Sequence, residues 1–320
     1  MAHLLEQMFS VEKTPWHGLG HIVQSAPTST EAFKLAGLDW TVSKRDVYIS
    51  NPDGSQTLLP DYKAITRDSD NTVYNVMSKN YEPLQNAKAF EFFDRFVSSG
   101  LARYETAGSL AQGARVWILA SLNKDPLEIG KNDLVNKFLM LSNGHDGSMA
   151  VRIGFTPIRV VCANTLRMAH DDDGSRLIRV SHSKSVVENV EKLASSIEFA
   201  NQRFEMTGEI YRKMAATGVR REDLDEYVRI VFQTKKIADP ESREYREKKM
   251  IEIITNNFET GRGSDLKSAN GTVWGLYNAV SEYLSYERGK EEDSRLKSLW
   301  FGSSARRNEL ALREAIKIAS

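Results

Sequence analysis

The hydrophobic periodicity of the chain changes once, near residue 183, and that change limits the folds open to it. Before it, short runs of alternating apolar and polar residues are separated by turn-forming Gly, Pro, Asn and Asp, the pattern of antiparallel strands with a few helices between them. After it, apolar residues recur every three or four positions almost to the end. The expected fold is therefore α+β, with an antiparallel sheet domain at about residues 1–182 and a helical domain at 183–320. A chain of 320 residues has room for one large core or two modest ones.

In the first part, Thr30 is the expected N-cap of a short helix ending at Gly37. Strands are expected at about 40–49, 62–67 and 72–77, the last two joined by Asp68-Ser69-Asp70-Asn71. A helix over about 85–97 carries Ala89, Phe92, Phe93 and Phe96 on one stripe, which reads as core-facing. Strands at about 101–106 and 114–122 follow. The clearest hairpin has strands at 135–142 and 148–156 around the turn Asn143-Gly144-His145-Asp146-Gly147. Pro157 marks an edge strand or a bulge. A buried strand beginning at Ile158 is expected to enter a helix capped by Asn164 or Thr165.

The second part opens on a heptad seam: Val186, Val190, Leu193, Ile197, Ala200, Phe204, Thr207, Tyr211 and Met214. It can close inside one chain or against another subunit, and with the tail helices it leads to the expectation of a homo-oligomer. Further helices are expected at about 221–233, 241–258, 272–287 and 304–319, the first with Leu224, Tyr227, Val228 and Val231 on one face.

Motifs for catalysis are not legible. There is no Gly-x-Ser-x-Gly elbow, no phosphate-binding loop ending in Gly-Lys-Ser/Thr and no dinucleotide glycine fingerprint. The single cysteine, Cys162, sits in an apolar run and reads as an inert buried thiol; alone it can form neither an intrachain disulfide nor a multi-cysteine metal site. Asp171-Asp172-Asp173-Gly174 lacks the later glycine and closing glutamate of a calcium loop and reads as a solvated turn. His145 and Asp146 read as turn residues. His3, His17, His21, His170 and His182 show no paired-ligand spacing. No metal and no cofactor is expected. The first residues lack a secretory signal and no run approaches a membrane span, so a bacterial cytoplasmic setting with no membrane partner is expected.

The 43 Lys and Arg balance the 43 Asp and Glu, which argues against a protein that coats duplex DNA by charge alone. A local groove, or binding by stacking, stays open. Between Ser148 and Ala169 the charged residues are Arg152, Arg159 and Arg167, with no acid among them, and the last two flank an expected helix start. Lys63, Arg67 and Lys79, with Tyr74 and Tyr81, decorate the earlier strands. Interleaved basic and aromatic groups on a sheet suit single-stranded nucleic acid, whose bases stack and whose phosphates pair. Ordinary surface charges and structural ion pairs give the same pattern, with Asp61, Asp68, Asp70 and Glu82 diluting the patch.

Several blocks are similar to the phage/plasmid-like protein family, also called domain of unknown function 932. They are Trp16-His17-Gly18-Leu19-Gly20, Ala36-Gly37-Leu38-Asp39-Trp40, Asn80-Tyr81-Glu82-Pro83-Leu84-Gln85-Asn86 and Glu105-Thr106-Ala107-Gly108-Ser109-Leu110. The strongest are Arg159-Val160-Val161-Cys162-Ala163-Asn164-Thr165-Leu166 and the stretch from Gly271 to Tyr283. One departure stands at Ser285-Tyr286, where a histidine-containing end is expected. The resemblance implies carriage on a phage, prophage or plasmid, and supplies no activity. The leading expectation is a non-enzymatic protein of a mobile element that binds or anneals single-stranded DNA in replication or recombination. A protein-interaction factor countering a host defence, and a DNA-processing enzyme with an unrecognised site, are the alternatives.

Overall fold

The computed structural model describes residues 5–12, 20–122, 126–159, 178–194, 197–289, 295, 298–299 and 302–320. Strands come first and helices dominate afterwards, so the fold is α+β. The chain forms two compact units. The first comprises Met1–Asn123, Leu139–Phe155 and Arg176–Glu198, and the second Lys124–Phe138, Thr156–Ser175 and Phe199–Ser320.

The strands of the first unit are β1 (Leu5–Val11), β2 (His21–Val23), β3 (Val42–Ser50), β4 (Gln56–Arg67), β5 (Val73–Ser78), β6 (Ala102–Leu110) and β7 (Arg115–Leu122). After β8 (Leu127–Gly130), β9 (Asp133–Gly144) and β10 (Val151–Arg159) run into it, and β11 (Ile178–Val180) closes the series. Its larger sheet has the order β11-β10-β9-β7-β6-β1-β2, and a separate three-stranded sheet has the order β3-β4-β5. Strand β1 was not expected. It pairs antiparallel with β6 and parallel with β2, and Met8, Phe9 and Val11 are buried.

Helix α1 (Ser29–Leu35) begins two residues earlier than expected, because Thr28 and not Thr30 is its cap. The Thr28 Oγ1 accepts from the Glu31 backbone N–H, and Glu31 accepts from the Thr28 backbone N–H at 2.8 Å, a reciprocal capping box. These bonds hold the Glu31 carboxyl below its ordinary range. Thr28→Ala should cost about 1 kcal/mol in urea unfolding and Thr28→Asp should recover most of it; equal loss in both would assign the effect to something other than the cap. Helix α2 (Asn86–Val97) buries Ala89, Phe92, Phe93 and Phe96, the stripe read from the sequence, against β6 and β7.

Two hairpin expectations need correction. Strand β9 runs on to Gly144, so Asn143 belongs to the strand and not to the turn; His145 lies in the bend that follows, and both are fully buried. Strand β11 pairs only with Val151, Arg152 and Ile153, so Pro157 falls in the part of β10 beyond that ladder, where its missing N–H is tolerated. Residues 160–177, with Cys162, Arg167, His170, the expected helix cap and the acidic turn, lie outside the described residues. So do His3 and His17.

The heptad seam is carried by two helices, α3 (Val186–Ala194) and α4 (Ile197–Ala216). Val186 and Val190 join the core of the first unit, while Phe204, Thr207, Tyr211 and Met214 are buried in the second. These seam residues are thus spent within the chain. Helix α5 (Arg221–Phe232) buries Leu224, Tyr227, Val228 and Val231, as its stripe required. It packs with α6 (Pro240–Thr260) and α8 (Ser303–Ala319), and α7 (Val273–Glu282) packs on those two, with Trp274, Tyr211 and Tyr277 fully buried in the unit. A π-helical turn, Tyr283–Glu287, extends α7. Asp133 is fully buried in this unit, and its Oδ2 accepts from Ser268 Oγ at 2.6 Å and Trp274 Nε1 at 2.9 Å. That carboxylate ties the start of β9 to the start of α7. No helix among the described residues is long and apolar enough to cross a membrane.

Candidate nucleic-acid interface

The three-stranded sheet has two unlike faces, and its register fixes which residue takes which. Lys44, Ile65 and Asn75 stand opposite one another across β3, β4 and β5, as do Asp46, Lys63 and Met77. Ile65 is fully buried and Met77 packs on the core, so this face is the inner one. The neighbouring row, Arg45, Ala64 and Val76, with Tyr62 opposite Ser78, takes the outer face because side chains alternate along a strand. Tyr62 is 50% exposed and Val76 45%. Farther out, past a register shift between Asp46 and Tyr48, Tyr48 pairs with Leu58, and both are exposed, as is Ile49. With Val73, six of the twelve exposed large hydrophobics among the described residues fall on this one small sheet. Such a concentration marks a contact surface, whereas scattered single residues do not.

The cations expected to bind phosphate here are already engaged. Arg67 is 8% exposed: its Nε and Nη2 donate to the two oxygens of Asp70 at 3.0 and 2.5 Å, and its Nη1 to Glu6 at 2.6 Å. Its guanidinium also lies 5.2 Å over the Trp40 ring. Asp70 first and then Glu6 raise the Arg67 pKa further above its ordinary value, and the Arg67 hydrogen bond in turn holds Asp70 well below the carboxylate range. Lys63 pairs with Asp46, and Lys79 with Asp61 at 2.7 Å. Tyr81 is buried, donates its hydroxyl to the Gly144 carbonyl and stacks on His182. Tyr74 is half-buried, donates to the Gln112 carbonyl and stacks on His145. Neither tyrosine offers a free ring face to a base. The sheet's exposed aromatics are instead Tyr48 and Tyr62, which the sequence reading passed over.

Of the three arginines in the acid-free stretch, Arg152 is half-buried on β10 and Arg159 ends that strand, its side chain lying outside the description along with all of Arg167. Strand register adds a residue the sequence reading missed. Arg179 on β11 stands directly opposite Arg152 and is exposed. Like charges facing across an antiparallel pair repel, so this edge is a local concentration of positive charge.

Beneath the sheet lies a closed polar cluster. His145 Nε2 is 3.1 Å from Asn86 Oδ1, and Asn86 donates its own amide to the Leu38 carbonyl. The tautomer carrying hydrogen on Nε2 satisfies that contact and leaves Nδ1 bare, with no partner in the structure. Burial, and then the nearby His182, push the His145 pKa down to about 3. Burial lowers His182 as well, although its Nδ1 lies 3.1 Å from the Glu82 carbonyl. A neutral, fully enclosed imidazole meets no reactant, so the cluster reads as structural. No group of three or more His, Cys, Asp or Glu among the described residues is placed to hold a metal ion.

Comparison with known proteins gives a family and nothing finer. No curated protein and no solved structure matches the chain significantly. Residues 73–300 match the family model described as "Domain of unknown function (DUF932)", and the chain belongs to that family.

Proposed function

We propose that the protein binds single-stranded nucleic acid through its sheet unit, in the replication or recombination of a phage or plasmid. The observation that carries this reading is the concentration of exposed apolar side chains on β3, β4 and β5, with Tyr48, Leu58, Tyr62 and Val76 among them. Bases unpaired from a partner strand have apolar faces to bury, and a tyrosine ring on a rigid strand receives them at low entropic cost. Arg152 and Arg179 at the sheet edge supply positive charge for the backbone. Because Lys63, Lys79 and Arg45 already hold carboxylates, stacking outweighs phosphate pairing in this reading and the salt dependence is shallow.

The test is anisotropy of a labelled single strand and its duplex at two salt concentrations. Tyr62→Ala should weaken single-strand binding by about 1–3 kcal/mol without changing the salt slope. Arg179→Ala should flatten that slope by roughly one counterion, ~0.7 log units per log unit of salt. Unchanged affinity and slope in both folded variants removes the reading.

A second reading, a protein-interaction factor acting against a host defence, draws on the same neutralised cations, since an apolar face with paired charges also suits a protein partner. Absence of single-strand binding by the wild type favours it.

A further inference from the structure

The second unit contains an arginine cluster that none of the preceding chemistry uses. Arg288 follows the π-helical turn and donates from Nη1 to Ser304 Oγ at 2.6 Å. Ser304 is buried in the first turn of α8, and Arg307 lies three residues farther on, on the same side of that helix. Arg307 donates from Nε to the Val231 carbonyl at 3.1 Å, and its guanidinium sits 5.1 Å over the Phe232 ring. Arg246, exposed on α6, adds its like charge to both, and α6 packs on the π-helical turn. No carboxylate pairs with any of the three among the described residues.

This contrasts with those arginines of the same unit that face carboxylates. There Arg220 holds Asp223, Arg221 holds Asp225 and Arg229 holds both Glu226 and Glu247. Here Arg288 and Arg307 are half-buried and Arg246 is exposed, and among the described residues none of the three meets an acid. Burial, and then the like charges of Arg288 and Arg246, bring the Arg307 pKa down to about 10, and Arg288 is lowered mainly by burial, with Arg246 adding to it. Each guanidinium has five donors. Arg307 spends only Nε on a protein acceptor and Arg288 only Nη1. The remaining forks have the geometry that takes phosphate oxygens in pairs. At the adjoining helix start Gly302 provides no side-chain cap and Ser298 Oγ takes the Ser304 N–H at 3.1 Å, so what the helix offers an anion there is its dipole and not that N–H.

We propose that Arg246, Arg288 and Arg307 form a binding site for a phosphate group beside the first turn of α8. The ligand is a free phosphate or nucleotide, or a phosphodiester of a polynucleotide; the chemistry of capture is the same. The site is independent of the sheet reading above.

The probe is inorganic phosphate, titrated by calorimetry and by thermal unfolding against chloride at matched ionic strength. Phosphate should bind the wild type saturably and raise its melting temperature beyond chloride. Arg246→Gln should weaken that binding about tenfold, the value of one charge-assisted contact. In phosphate-free buffer the same variant should be at least as stable as the wild type, because a repelling charge is gone. Arg246 is exposed and makes no hydrogen bond or ion pair among the described residues, so this variant folds even if Arg307→Gln does not. Tyr62→Ala should bind phosphate like the wild type. A mononucleotide and a single-stranded oligonucleotide then distinguish the sources. An Arg246→Gln loss confined to the oligonucleotide and phosphate points to a polynucleotide, and a loss shared by the mononucleotide points to a free one. Equal phosphate response in wild type and Arg246→Gln, or no response beyond chloride, overturns the proposal.

Discussion

Replacing Arg67 by alanine should destabilise the protein by about 3 kcal/mol. Arg67 stands at the end of β4 with 9% of its side chain exposed, and makes three charge-assisted bonds to Asp70 and Glu6. Truncation leaves both carboxylates without a cation and removes the group covering Trp40. Glu6 and Asp70 keep side-chain exposures of 31% and 43%, so water relieves part of the loss and the effect stays at the low end for a broken buried pair. Arg67→Met keeps the apolar stem over Trp40 and should cost about 1–2 kcal/mol less than alanine. Urea unfolding of the two variants at pH 7 measures the difference. An Arg67→Ala protein with wild-type stability but weakened single-strand binding would return this residue to the interface and refute the structural role.

What the sequence showed depended on whether the signal was local. The stripes of α2 and α5 were legible because one amphipathic helix contains the whole pattern, and Ala89, Phe93, Tyr227 and Val231 are buried as read. Strand β1 was not legible, since it runs through four consecutive buried residues, Met8 to Val11, without alternation, and its partner β6 lies about a hundred residues away. The seam from Val186 to Met214 looked like one helix because heptad spacing carries no mark of the unit in which each residue is buried. The site failed for the same reason. Arg67 meets Glu6 across 61 positions and Lys63 meets Asp46 across 17, and nothing in the linear pattern announces either pair. Tyr62 was available to the reading, since it alternates with the buried Ile65 face along β4. Its exposure depended on knowing which face the core covers. Tyr81 belongs to no strand, and its burial follows from the Gly144 carbonyl 63 residues on.

Acid should destabilise the protein through His145 in a window that no surface group shares. Burial and the missing acceptor at Nδ1 disfavour charge on this ring. Asn86 accepts from Nε2, Trp40 and Tyr74 lie against the ring at 5.3 and 5.8 Å, and Nδ1 has no acceptor for a second proton. His182 adds like charge if it protonates, while Asp146 works weakly the other way. The folded pKa is about 3 and the unfolded value about 6.5. Above pH 6.5 the ring is neutral in both states and contributes nothing to pH dependence. Below it, the unfolded chain takes up a proton that the folded chain refuses, so stability falls as pH falls, by about 1.4 kcal/mol per pH unit. The slope continues down to the folded value, and the accumulated loss is on the order of 3 kcal/mol at pH 4. Carboxylates held low in the fold, such as Asp70 and Asp68, add their own loss in the same direction at lower pH. Comparison with His145→Gln cancels them, because glutamine can still donate to Asn86 and does not titrate. The variant should be less stable than the wild type at pH 7 and should lose stability more slowly on acidification, with the two curves converging from pH 6.5 towards pH 4. Parallel stability curves over that range would show that His145 gains access to water or to an acceptor when it protonates, and the closed cluster would have to be abandoned.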